Sequence, residues 1–362
     1  MADPLSTILT ERLGCRLPII QTAMGWIATS QLVIASSEAG AFGFLAAAVM
    51  TPAELTAAIG KVKAGTSKPF GVNFHMFQPG AKEIVDIILA HRDQVRAVSF
   101  GRGPDAKMIG RFKDAGILCL PTVGAVKHAQ KMVELGVDMV VVQGGEGGGH
   151  TGSVASTILL PQVLDNVNVP VVAAGGFGDG RGLAAALAFG AVGMAMGSRF
   201  LMTRESPLPE ATKARYAKAR TDDIIVTTKV DGMPQRMIVN EALQKIERSG
   251  RIGLWLRAIE SGFAMKRQTG ASFIDLYRSA KGMTSHGGLS LPQAMMAASA
   301  PMMIQRAVVD GDAAGGLMAT GLVVGRLSDL PSCAELVASI EQEARDRIAA
   351  LTQTPSTAKA VA

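Results

Sequence analysis

The sequence predicts an α/β fold, a (β/α)8 TIM barrel carrying a helical insertion or lid. Three observations lead there. Eight short apolar runs recur between residues 18 and 196, amphipathic stretches fill the gaps between them, and the alternation stops after Phe200. Runs that are apolar throughout belong to strands buried on both faces, which requires a parallel sheet covered by helices.

Taken in order, the strand runs are 18–24, 42–47, 70–75, 97–100, 118–123, 139–143, 171–174 and 193–196. Helical period marks 30–39 after the first, 52–63 after the second, 82–91 after the third, 105–115 after the fourth, 125–135 after the fifth and 182–189 after the seventh. Eight such units close a barrel, and they use about 185 residues against roughly 250 in a typical example. An open doubly wound sheet is the rival. Its Gly-x-Gly-x-x-Gly fingerprint is missing, because the first run continues into Gln21-Thr-Ala-Met-Gly-Trp26.

Four segments follow: a barrel over 1–203, a basic helical lid or substrate subdomain over 204–307, a return to the barrel over 308–351, and a flexible polar tail over 352–362. In the later segments, helices are expected at 241–248, 254–266, 272–280 and 332–351, and the apolar stretches 301–306 and 315–325 as returns to the barrel.

Composition narrows the functional classes. With 362 residues, 48% of them hydrophobic and 18% charged, the chain buries a large core. The most apolar stretch, 171–202, is interrupted by Gly175, Gly176, Gly178, Asp179, Gly180 and Arg181, so no membrane span is expected. The N-terminus lacks a basic stretch leading into an apolar one, and Cys15, Cys119 and Cys333 are far apart, which together favour a reducing cytoplasm. The net charge of +6 is concentrated: residues 204–306 hold 16 Lys and Arg against 9 Asp and Glu. Aromatic residues are only 4%, too few for a nucleic-acid stacking platform. A pocket for a small anionic ligand and a solvated helical surface both fit the positive excess.

Catalytic groups of such barrels lie where strands end, and three strand ends stand out. After the sixth run comes Gln143-Gly-Gly-Glu-Gly-Gly-Gly-His150-Thr-Gly152, with five glycines among the six positions from Gly144 to Gly149. Such a loop fits a backbone that passes close to a planar ligand, and its glycines leave His150, the natural acid/base residue near neutral pH, free to swing toward a substrate. The seventh and eighth runs end in Ala173-Ala-Gly-Gly-Phe-Gly-Asp-Gly-Arg-Gly182 and Ala195-Met-Gly-Ser-Arg-Phe200. These are the two loops that commonly build a phosphate site in barrels; a plain tight turn at Gly175-Gly176, with Asp179 capping the next helix, is the alternative. The third end is Gln21-Thr-Ala-Met24, with Asn73 and Gln143 closing their own strands; amides there could serve a polar ring or be hydrogen-bonded core residues. The five histidines have no metal-ligand spacing and no Gly-x-Ser-x-Gly elbow occurs, so zinc and serine-nucleophile chemistry are not expected.

Together, Gln-x-x-Met-x-Trp, Gln-Gly-x-Glu-x-Gly-Gly-His-x-Gly, Ala-Ala-Gly-Gly-Phe-x-Asp-Gly-Arg-Gly and Met-Gly-Ser-Arg-Phe resemble the nitronate monooxygenase (2-nitropropane dioxygenase-like) family of FMN oxidoreductases, over nearly the whole chain. That family includes nitronate oxidisers, NAD(P)H:quinone reductases and enoyl thioester reductases. The resemblance implies FMN, with its phosphate on Gly175, Gly176, Gly197 and Ser198, its ring lined by Ala23, Met24, Asn73, Gln143, Gly148 and Gly149, and His150 as the acid/base residue. Thr122, where some nitronate oxidisers carry Lys, and the segment Phe74-His-Met-Phe77 depart from the nitronate-oxidising pattern. Residues 143–152, 226–234 and 329–333 are similar to the branch acting in sterol-ring degradation. That likeness implies NAD(P)H-dependent reduction of a conjugated C=C bond in a bicyclic acyl-CoA, with His150 protonating the α-carbon or orienting the carbonyl. The basic segment would then receive the coenzyme A phosphates. Oxidation of alkyl nitronates with O2 and quinone reduction by NAD(P)H are the alternatives, and a homodimer is compatible with each.

Overall fold

The computed structural model describes residues 3–76, 78–101, 105–249 and 291–352. The chain divides into two compact units: Met1–Gly144 with Val154–Ser206 and Leu330–Ala362, and Gly145–Ser153 with Pro207–Asp329.

The first unit holds β1 (Ile19–Gln21), β2 (Phe42–Ala46), β3 (Phe70–His75), β4 (Val95–Gly101), β5 (Leu118–Cys119), β6 (Thr122–Val123) and β7 (Val140–Gln143). After β8 (Gly149–His150), which belongs to the second unit, it resumes with β9 (Val171–Ala174) and β10 (Met194–Met196). These nine strands form one parallel sheet in the order β5-β4-β3-β2-β1-β10-β9-β7-β6. Its two outer members are consecutive in the chain. The run expected as one strand over 118–123 is divided by Pro121, which has no N–H to give. Bonding nevertheless continues across the break, since Leu120 donates to the Val98 carbonyl at 2.8 Å and the Pro121 carbonyl accepts from Val141 at 2.9 Å. The sheet therefore closes through eight strand positions, as the sequence predicts.

Ile20, Phe44, Ala97, Leu120, Val141, Val172, Ala174 and Ala195 form one buried cluster drawn from strands all around the barrel. On the outer face, Phe74 meets Phe100 and Phe112 edge-on, with centroids 6.2 and 5.9 Å apart. Helix α1 (Ile8–Leu13) precedes β1, and the helices α2 (Ser30–Glu38), α3 (Pro52–Gly65), α4 (Ala81–Ala90), α5 (Ala106–Asp114), α6 (Val126–Glu134), α7 (Ser156–Leu164), α8 (Gly180–Ala188) and α9 (Ser198–Leu201) follow the strands. They match the expected stretches to within two residues wherever one was expected.

The second unit contains α10 (Glu210–Lys218), β11 (Ile224–Thr227), β12 (Gln235–Ile238), α11 (Glu241–Arg248) and α12 (Leu291–Val308). Its core joins Val230, Met237, Leu243, Ile246 and Leu317. The purely helical reading of this segment is corrected by an antiparallel sheet in the order β11-β12-β8. Two of its strands have four residues and the third has two, and that third comes from the glycine loop far upstream, so no local periodicity announces it. The apolar stretch 315–325 also belongs to this unit, where Ala319 bridges to Met237, rather than to the barrel. The helices expected at 254–266 and 272–280 lie outside the described residues, as does the tail beyond Thr352. The closing helix, α13 (Cys333–Thr352), belongs to the first unit. Among the described residues no helix is long and apolar enough to cross a membrane.

Candidate functional site

Parallel strands all leave a barrel at the same end, so the ladder register decides which exits are neighbours. Gln21 pairs with Met196, Ala195 with Ala174, and Gln143 with Ala174. Consequently the exits of β1, β10, β9 and β7 form one continuous stretch of rim. Backbone bonds stitch it together: Thr22 donates to the Met196 carbonyl and Gly144 to the Ala174 carbonyl, each at 3.0 Å.

On this rim the structure brings together Ala23, Met24, Gln143, Gly175, Gly176, Gly197 and Ser198. Gly175 and Gly176 turn the chain with φ of +91° and +83°. A Cβ on Gly175 would stand 2.9 Å from both the N and O of Gly144, and one on Gly197 would stand 3.1 Å from Thr22 Oγ1 and 3.5 Å from Met24 Sδ. Glycine backbone is thus presented at both places, against the Gly144 backbone at Gly175 and beside the Thr22 and Met24 side chains at Gly197, a cradle suited to an anion and a flat ring. Asn73 stands farther around the same rim, half-buried, donating its amide to the Ser99 carbonyl at 3.1 Å. Gln21 is a core residue: it is fully buried, with its amide bonded to the Thr22 and Phe44 carbonyls and its oxygen accepting from Ser36. Trp26, in the loop leaving β1, is the one non-glycine residue of positive φ (+60°) among the described residues.

The N-terminus of α8 is not available to an anion. Asp179 caps it by accepting from Gly182 N at 3.0 Å, and Glu343 of α13 accepts from Gly180 N at 2.8 Å. An anion on this rim would meet the Gly175-Gly176 turn and the Gly197-Ser198 start of α9 instead.

Gly148, Gly149 and His150 belong to the second unit. The expectation of a swinging loop is corrected there. His150 and Gly149 pair with Gln235 and Arg236 of β12, and the Arg236 guanidinium donates to the Gly145 and Gly147 carbonyls at 2.5 and 3.2 Å. A Cβ on Gly148 would fall 2.6 Å from Gly321 N, and Gly149 has a φ of +64°. Gly148 thus serves close backbone packing and Gly149 a left-handed turn, and the loop is clamped.

His150 Nε2 lies 2.6 Å from Asp231 Oδ2 and 3.2 Å from the Gln235 amide nitrogen. The imidazole side chain is half-exposed, whereas Asp231 is buried. Burial pushes the Asp231 carboxyl up, but hydrogen bonds from His150, the Met233 N–H and Gln235 outweigh it and hold the group below its ordinary range. Burial also lowers the affinity of Arg236 for its proton. Asp231, Gln235 and Arg236 escaped the sequence reading. Asp231-Gly232 is a turn signal, but nothing local announces that this turn meets a histidine 81 positions earlier. Among the described residues, no group of three or more His, Cys, Asp or Glu could hold a metal ion.

Part of the positive charge expected of a lid is paired within its own unit. Arg215 meets Glu241 at 4.0 Å, Lys229 meets Glu247 at 3.5 Å and Arg306 meets Asp312 at 2.5 Å, while Arg204 pairs with Glu335 in the barrel unit at 2.5 Å. Arg251, Arg257, Lys266, Arg267, Arg278 and Lys281 lie outside the described residues.

The profile of the nitronate monooxygenase family matches residues 6–343. A protein of Mycobacterium tuberculosis named (3aS,4S,5R,7aS)-5-hydroxy-7a-methyl-1-oxo-octahydro-1H-indene-4-carboxyl-CoA dehydrogenase is 47% identical over 343 residues, 94% of this chain and 96% of that one. Its namesake in Rhodococcus jostii is 45% identical over 347 residues, 96% and 98% of the two chains. Among solved structures, FabK from Thermotoga maritima superimposes with a TM-score of 0.77 at 30% identity, covering 96% of this chain and 98% of that one. Nitroalkane oxidase from Streptomyces ansochromogenes gives 0.74 at 27% identity, covering 94% and 99%.

Proposed function

The chain belongs to the nitronate monooxygenase family and is an oxidoreductase, and from that premise we propose that it is an FMN-dependent enzyme acting on the Cα–Cβ bond of a bicyclic, sterol-derived acyl-CoA. The observation that carries the cofactor assignment is the glycine-lined rim, where Gly175-Gly176 and Gly197-Ser198 present backbone to an anion beside Ala23, Met24, Gln143 and Asn73. Near half identity, end to end, to two acyl-CoA dehydrogenases of the bicyclic class supports the substrate.

Bound flavin would exchange hydride with the substrate β-carbon. The chain supplies the rest. The thioester acidifies the α-carbon, and His150 exchanges a proton there, taking it during dehydrogenation and returning it during reduction. Gly148 keeps the histidine strand close to its neighbouring backbone, Gly149 turns it with positive φ, and Arg236 holds the preceding loop. NAD(P)H as reductant and the indene acyl-CoA as electron donor are the two directions of one reaction, and the name shared by the two relatives favours the second.

Anaerobic mixing of the purified yellow protein with a saturated bicyclic acyl-CoA, NADH, NADPH or an alkyl nitronate tests this reading. Bleaching of the flavin by the acyl-CoA, or by NAD(P)H with reoxidation by the unsaturated acyl-CoA, is expected. Bleaching by the nitronate alone would overturn it.

A further inference from the structure

Imidazole Nε2 of His150 stands within bonding distance of two groups that make opposite demands on it. The Asp231 carboxylate oxygen, at 2.6 Å, can only accept; the Gln235 amide nitrogen, at 3.2 Å, can only donate. One ring nitrogen cannot serve both at once. Were Nε2 bare, its lone pair would face a carboxylate lone pair across 2.6 Å, beside a side chain that is only 10% exposed. With a hydrogen on Nε2, the same separation becomes a short charge-assisted bond. Nε2 therefore carries a hydrogen in the neutral ring as well as in the charged one, and the Gln235 amide serves Asp231, which it also reaches.

Asp231 is itself held in place. Its other oxygen accepts the Met233 N–H at 3.0 Å, across a turn in which Gly232 has a φ of +83°. The turn leads directly into β12, whose register sets Gln235 opposite His150. Turn and ladder together set Asp231 and Gln235 against the ring.

The geometry points to Asp231 as the positioning residue of His150: it fixes the Nε2–H tautomer, so that Nδ1 is the nitrogen that gives and takes the substrate proton, with Gln235 as the second support of the carboxylate. The assignment rests on reading His150 as the proton-transfer residue. In the dehydrogenation direction the α-C–H bond breaks and its proton goes to the Nδ1 lone pair. The β-C–H bond breaks with both electrons, as hydride to the flavin, and the Cα=Cβ bond forms. The imidazolium so produced stands against the Asp231 carboxylate.

Nitrogen-15 NMR of imidazole-labelled protein tests the tautomer without any substrate. Neutral His150 is expected to show a protonated Nε2 and a bare Nδ1. Asp231→Asn can present an amide N–H to Nε2, so the two forms should mix or invert. Substrate-driven flavin bleaching should slow about 10²- to 10⁴-fold, the scale of lost acid/base help and of a wrong tautomer. Asp231→Glu, which keeps a carboxylate, should restore part of that loss. A wild-type His150 protonated on Nδ1 would overturn the assignment even if the Asp231→Asn protein failed to fold. So would an Asp231→Asn protein with unchanged tautomer and unchanged bleaching. If the expected tautomer is found but the acyl-CoA never bleaches the flavin, it is the substrate reading that fails.

Discussion

Gly180 donates its backbone N–H to Glu343 Oε2 at 2.8 Å, so the closing helix of the chain supplies a carboxylate to the N-terminus of α8. Asp179 supplies a second, and Arg181 pairs with both. In barrels of this kind a helix start next to the seventh and eighth strands commonly receives a phosphate. Here α8 already has its anions.

Flavin content should therefore depend on the glycine turns and not on α8. Gly176→Asp adds bulk and negative charge to the turn and is expected to yield colourless protein. Glu343→Ala should lose about 1–3 kcal/mol of stability, the scale of a charge-assisted hydrogen bond, and remain yellow. Absorbance of the two purified variants near 450 nm checks both; a yellow Gly176→Asp protein would remove the phosphate from this rim.

Turnover of a CoA thioester should weaken as salt rises, because exposed charges are screened over about 10 Å at 0.1 M. A free-acid analogue should respond much less. The ion pairs of Arg215, Lys229 and Arg306 leave fewer cations for coenzyme A than the sequence excess of residues 204–306 suggests. Steady-state rates for the two substrates across a salt series decide the matter. Equal dependence would mean that the basic segment has no role in holding coenzyme A.

Asp231 also predicts a pH dependence of stability. Burial raises its pKa, yet the bonds from His150, Met233 N–H and Gln235 leave it lowered in the folded protein. A group lowered by folding contributes stability above its unfolded value, near 3.8, and loses it as pH falls through the folded value. Denaturant midpoints of wild type and Asp231→Asn should accordingly converge as the pH is taken below 4. Midpoints that diverge on acidification would contradict the sign.

All three cysteines should be inert in the native protein. Burial pushes the thiols of Cys15, Cys119 and Cys333 up to about 12, with Asp138 adding to the effect at Cys119 and Glu205 at Cys333. Thiolate is the reactive form, so iodoacetamide at pH 8 should label the protein only after unfolding, as read by mass spectrometry. Rapid native labelling of any of the three would contradict this.

The barrel was legible in the sequence because burial on both faces forces each strand to be apolar throughout, and helical period then marks what covers it. The rim residues were legible for a related reason: only glycine turns easily with positive φ, so Gly175-Gly176 is visible as a turn wherever it falls. Pro121 stood in plain view, but only the sheet order reveals that it divides one strand while bonds on either side keep the barrel closed. The surroundings of His150 belong wholly to tertiary structure. A two-residue strand in a glycine loop has no periodicity, and its partners Asp231 and Gln235 come from a turn and a strand 81 and 85 positions later. Sequence pattern reports which face of an element is buried; which distant polar group meets a histidine is decided by strand register, and only the folded chain sets that.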